Sequence, residues 1–189
     1  APGIAFRAIQ LATDTMKFGK AEEAPPRKQF VPLADLVHEV CDAAVPADDT
    51  RIRTEISLDP EAQVFADADQ LFRVLLNLAR NGVEAMLEAD GGGTLSIGCE
   101  MVPGGGRLYI ADTGPGLPDS ARAHLFEPFV GSARKGGTGL GMAIAADLVR
   151  AHGGIIRLHQ SIPGHTVFHI YLPGPDGQMA EPEADLAAE

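Results

Sequence analysis

The chain has 189 residues, is 45% hydrophobic and 22% charged, and carries a net charge of −11. That size favours one domain with short appendages, and no stretch nears the roughly 18 consecutive apolar residues that span a bilayer. The acidity excludes a general nucleic-acid or membrane-surface binder, since both need a basic face. An anionic ligand must therefore be held by local donors. In chain order, the start Ala1-Pro2-Gly3 lacks Met and a basic signal region, and reads as a piece of a longer parent. Residues 3–18 carry Ile4, Ala8, Leu11 and Thr15, with Ala5, Ile9, Ala12 and Met16, at helical spacing. This broad apolar stripe wants a partner and predicts a partial bundle helix. Residues 20–30 are polar and contain Pro25-Pro26, as a linker would. A helix is predicted over 33–44, an alternating strand over 51–57 and a short strand over 63–66. Asp67 stands as the N-cap of a long helix reaching to about residue 88.

Two strands follow, near 94–102 and 107–112, with a hairpin turn at Pro103–Gly106. Residues 113–137 read as loop. A helix over 139–152 ends at Gly153-Gly154, and strands near 155–161 and 165–172 form a second hairpin around Pro163-Gly164. The acidic, proline-bearing tail 174–189 reads as disordered. Cys41 and Cys99 have no metal spacing and read as reduced structural thiols of a cytosolic protein. Interleaved helices and strands predict an α/β fold: a two-layer sandwich with a mixed sheet of about five strands and helices on one face.

Three segments carry chemistry. On the long helix, Leu71, Leu75, Leu78, Gly82 and Met86 share the face turned to the sheet, while Gln70, Arg73, Asn77, Asn81 and Glu84 form an adjacent polar stripe. Asn is a mediocre helix former, yet two stand mid-helix four apart. An Asn amide oxygen is a hard, neutral ligand suited to Mg²⁺. Asp112-Thr113-Gly114-Pro115-Gly116 delivers a carboxylate to a turn, where it can accept from an exocyclic amine such as adenine's. Gly136-Gly137-Thr138-Gly139-Leu140-Gly141 feeds a helix N-terminus, a ready anion site. Two other phosphate motifs fail. Gly137 stands where a P-loop needs Lys, and Gly-x-Gly-x-Gly after a loop is not the dinucleotide fingerprint.

Residues 77–85 resemble the N box of the GHKL ATPases, and residues 112–116 the G1 box. Phe126-Glu127-Pro128-Phe129 resembles the F box of sensor histidine kinases, and residues 137–141 the G2 box. The resemblance spans residues 31 to about 172 and implies the Bergerat fold, with ATP and Mg²⁺ as ligands. It implies that Asn81 is the metal ligand and that Asn77 contacts the phosphates or their waters. Asp112 would read adenine, within its box with Gly114 and helped by Gly116 and Thr138. Gly137 opens the phosphate box, and the amides of Gly139, Leu140 and Gly141 would meet the phosphates. Residues 130–136 would form the ATP lid, with Arg134 or Lys135 touching phosphate. Phe126 and Phe129 would pin the loop and grip a helical domain.

Asn77 stands where hydrolytic relatives in the superfamily resemble a Glu that activates water, and Asn cannot be a general base. Transfer to a protein nucleophile is thus expected over hydrolysis, making this a protein-histidine kinase of two-component phosphorelay. None of the six histidines stands in an acceptor context. The fragment alone would therefore bind Mg-ATP without phosphorylating itself. The expected organisation is 1–19 as the end of the second dimerisation helix, 20–30 as linker, 31–173 as catalytic domain and 174–189 as tail. The expected partners are a dimerisation domain bearing the acceptor His and a response-regulator receiver domain, with no nucleic acid. The parent is expected to be a homodimer, and the fragment can be a monomer. The location is the cytoplasm, with a bacterial inner-membrane anchor possible in the parent. The alternatives are a non-catalytic nucleotide-sensing or docking module and an anti-sigma-type serine kinase.

Overall fold

The computed structural model describes residues 24–89, 91–129 and 139–177. The helix expected over 3–18, residues 20–23 of the expected linker, the expected lid and the tail beyond Gly177 lie outside them. So do the site candidates Arg134, Lys135, Gly137 and Thr138.

The elements run β1 (Gln29–Pro32), α1 (Leu33–Ala44), β2 (Ile52–Ser57), β3 (Gln63–Ala66), α2 (Ala68–Glu88), β4 (Gly93–Val102) and β5 (Gly105–Asp112). A single helical turn, α3 (Asp119–Arg122), is followed by α4 (Gly141–Ala151), β6 (Ile155–Ile162) and β7 (His165–Pro173). The main sheet has five strands in the order β2-β4-β5-β7-β6. It is mixed: β2 runs parallel to β4, and the other pairs are antiparallel. Helices α1, α2 and α4 share one core with it, in which Leu33, Leu71, Leu75, Leu78, Leu95, Ile97, Leu108, Ile110, Leu148 and Ile170 lose essentially all contact with solvent. The expected α/β sandwich with a five-strand mixed sheet is what forms.

Helix α2 sets the frame. Asp67 caps it, its Oδ1 accepting from Gln70 N–H at 3.1 Å. Burial pushes the Asp67 carboxyl upward, but the N–H groups of Arg27 and Gln70 outweigh it and hold the group below its ordinary value. His152, buried at the end of α4, accepts the Asp67 N–H on Nε2 at 3.0 Å. Its Nδ1 therefore carries the hydrogen and donates to Leu148 O at 2.7 Å. The start of one site helix is so bolted to the end of the other.

Four local expectations change. Gln29 and Phe30, placed in the linker, belong to β1, which pairs antiparallel with β3 and stacks Phe30 on Phe65 at 5.4 Å. The turn at Pro103–Gly106 is only two residues long, because Gly105 and Gly106 already belong to β5. Gly106 is small for packing: a Cβ there would lie 2.7 Å from Val64 Cγ1. Gln70, expected on the polar stripe beside the core face, is buried, and its Nε2 donates to Ala24 O at 3.0 Å. The last helix starts at Gly141, since Gly139 is left-handed at φ 65° and cannot begin a right-handed turn.

Candidate nucleotide site

The site lies where β5 ends, beside the middle of α2 and the start of α4. Asp112 is the last residue of β5 and only 8% exposed. Its Oδ1 accepts from Gly114 N–H at 2.9 Å, a short loop that an aspartate makes with backbone two residues on. Two missing side chains clear its flanks. A Cβ on Gly82 would lie 2.9 Å from Asp112 Cβ and 3.1 Å from Oδ2, and one on Gly114 would lie 2.7 Å from Oδ1. Gly82 follows Asn81, so the asparagine face of α2 and the aspartate of β5 meet through that glycine.

Asn77 and Asn81 are both half-buried and stand one turn apart on α2. Helix α4 begins directly over Asn77: a Cβ on Gly141 would lie 3.7 Å from Asn77 Oδ1. The N-cap residue of α4, Leu140, makes no side-chain cap bond, and the first turn of α4 lies at the positive end of the helix dipole. Leu140, 1% exposed, anchors the turn in the core, while Gly139 O accepts from Phe129 N–H at 3.2 Å. The F-box stretch is thus tied to the second glycine segment. Phe126 packs against the core. Phe129 is 64% exposed and holds a positive φ of 65°, a conformation that costs a non-glycine residue about 1–2 kcal/mol.

The loop after Asp112 leans on the second hairpin. Gly116 is left-handed at φ 82°, and a Cβ there would sit 3.1 Å from the Ile162 backbone. Gly164 N–H donates to Gly114 O at 2.8 Å. Thr113 Oγ1 accepts from Thr94 N–H at 2.9 Å and donates toward Met86 Sδ at 3.6 Å, which ties the loop back to β4 and α2. Asn77, Asn81, Asp112, Gly114, Gly116, Gly139, Leu140 and Gly141 therefore gather at one end of the sheet. Sequence reasoning missed Thr166, which is 4% exposed and pairs in register with Asp112. The signal available was its place just after the Pro163-Gly164 turn. It also assigned Gly82 to core packing alone.

Among the described residues no three His, Cys, Asp or Glu side chains gather to hold a metal. A cation at this end would take the amide oxygen of Asn81 and complete its shell from phosphates and water, as Mg²⁺ does. That donor set fits.

A family model for the histidine kinase-, DNA gyrase B- and HSP90-like ATPases matches residues 66–176. The chain belongs to that family. Within it, the chain carries the ATP-binding catalytic domain of histidine kinases. The sensory histidine kinase/phosphatase NtrB of Rhodobacter capsulatus is 33% identical over 88% of this chain and 49% of its own length. NtrB of Escherichia coli O157:H7 is 36% identical over 75% of this chain and 44% of its own length. The chain thus spans just under half of these relatives. Among solved structures, full-length ShkA in complex with AMPPNP superposes with a TM-score of 0.74 at 26% identity, over 90% of this chain and 37% of that one. The mycobacterial sensor kinase MprB gives 0.64 at 30% identity, over 78% of this chain and 97% of that one. No helix among the described residues is long and apolar enough to cross a membrane.

Proposed function

We propose that the chain holds Mg-ATP for transfer of the γ-phosphoryl group to a histidine on a separate dimerisation domain, and that a response regulator then takes the group onto an aspartate. The observation that carries this is the asparagine face of α2 set against the N-terminal turn of α4, with Gly141 over Asn77. The Asp112 carboxylate, oriented by Gly114 N–H on Oδ1, accepts from the exocyclic amine of adenine. Thr166, beside it, is placed to share that base edge. The N–H groups opening α4 grip the phosphates. Asn81 would hold Mg²⁺, which when bound would supply charge neutralisation for the phosphates. Asn77 orients phosphate or water without taking a proton, so water is not activated and the pocket favours transfer over hydrolysis. The glycine segment and the expected lid, with Lys135, Gly137 and Thr138, complete the phosphate grip in this reading. The segment over 3–18 belongs to the dimerisation bundle of a homodimeric parent, and the reaction takes place in the cytoplasm.

Calorimetry with a non-hydrolysable ATP analogue and Mg²⁺ tests the pocket. Asn81→Ala is expected to weaken binding at least about tenfold, the scale of a lost charge-assisted contact. Glu127→Ala should change it little, because Glu127 is exposed and pairs with His124 at 3.1 Å. Equal losses refute the assignment. Labelled ATP mixed with the chain and a dimerisation domain bearing the acceptor histidine should label that histidine. A folded chain that binds ATP and labels nothing refutes the kinase reading.

A further inference from the structure

A β-bulge in β6 decides what Ser161 touches. Ile156 and Leu158 pair with Ile170 and Phe168, on the core side of the sheet. Strict alternation from Leu158 would turn Gln160 toward the core and Ser161 away from it. The register shifts between Leu158 and Gln160, so Ser161 pairs with Thr166. One extra residue flips every side chain beyond it. Ser161 is thereby turned into the nucleotide end, 6% exposed, in one cross-strand row with Thr166 and Asp112.

There its Oγ accepts from Leu117 N–H at 2.8 Å. Arg122 adds a second link. Its Nε donates to Leu117 O at 3.1 Å and its Nη2 to Ser161 O at 2.5 Å. With the Gly164 N–H bond to Gly114 O, these contacts fasten both ends of residues 114–117. That short loop carries the Gly114 N–H that orients Asp112.

We infer that Ser161 and Arg122 are positioning residues for adenine recognition: they clamp the loop after β5 so that the Asp112 carboxylate is held in the orientation that accepts from the exocyclic amine. The inference rests on the nucleotide-site reading above and adds residues outside the four sequence boxes. Neither side chain has to touch the ligand. Loosening the clamp should therefore blunt reading of the base and leave the phosphate grip of α4 intact.

Calorimetry on the full chain with Mg-ATP and with the Mg²⁺ complex of purine riboside triphosphate, which lacks the amine, separates the two effects. Ser161→Ala is expected to bind ATP about fivefold more weakly, the worth of one net hydrogen bond, with the amine-free nucleotide changed less than about twofold. Ser161→Thr keeps the hydroxyl and should restore ATP binding. Arg122→Gln, on the exposed α3 turn, should show the same selective loss and covers the case in which the first variant fails to fold. Equal losses for both nucleotides, or none in either variant, overturn the positioning role and leave the nucleotide site standing. A wild-type chain that binds neither nucleotide overturns the site reading and the inference together.

Discussion

Two hairpins of the sheet close on the same dipeptide and serve opposite ends of the molecule. Pro103-Gly104 joins β4 to β5, and Pro163-Gly164 joins β6 to β7. Both glycines are left-handed, at φ 83° and 85°. Gly104 O accepts from Gly174 N–H at 2.7 Å and fastens the chain as it leaves β7. Gly164 N–H instead donates to Gly114 O at 2.8 Å, beside Asp112. The local chemistry of the two turns is the same, and register alone makes one a fastening and the other part of a pocket. Turn residues tell how a chain reverses; the strand at the other side of the reversal tells what the turn is for.

The largest expected contrast comes from Gly114→Ala against Gly106→Ala. Each introduces a Cβ 2.7 Å from a neighbour, Asp112 Oδ1 in the first case and Val64 Cγ1 in the second. Both should cost about 1–3 kcal/mol by overpacking, read as a lower melting temperature. Only Gly114→Ala should also lose ATP, by about tenfold or more, since it displaces a charge-assisted hydrogen bond. Similar ATP losses in the two variants would end the distinction between the ends.

A finer version compares Gly164→Ala with Gly104→Ala. Nothing lies within 4 Å of a Cβ at Gly164, so its cost is conformational, about 1 kcal/mol, and the same figure is expected at Gly104. Denaturant melts should therefore match. ATP binding should weaken a few-fold only in Gly164→Ala, through the bond to Gly114. The reverse order would show that the far turn governs the pocket.

The smallest effect concerns the joint behind the site. Asp67→Ala removes the α2 cap and should cost about 1 kcal/mol. The folded carboxyl lies below its ordinary value of 3.8. Its contribution is therefore present above that value and is lost as pH falls through the lower, folded one. Wild type and variant should converge in stability on acidification below about pH 4, and a gap that widens there would contradict the depressed value.

Much of this was legible in advance where one period dominates. Helix α1 and the long α2 followed from apolar residues at helical spacing, and Asp67 was recognisable as a cap because its side chain acts on its own next turn. Asn77, Asp112 and Gly141 could be grouped by motif order. What was not legible depends on distant partners. Strand β1 has four residues, of which only Val31 is buried, and it exists because β3 pairs with it. Gly82 looked like a core position because the apolar stripe passes through it, and only the approach of β5 shows that it faces Asp112. Ser161 was out of reach for a sharper reason. A bulge leaves no mark in composition and reverses the inside–outside pattern from which its direction would be inferred.

The same bulge has a consequence at the margin of the sheet. Strand β6 is an outer strand of the five, and a straight outer strand offers its unpaired N–H and C=O groups as a template to any other extended chain. The extra residue interrupts that repeat and twists the strand, and the exposed Arg157 and His159 stand along the same stretch. The irregularity that aims Ser161 into the pocket also spoils the border for strand-to-strand aggregation, so a mutation that straightened it would threaten solubility as well as base selectivity.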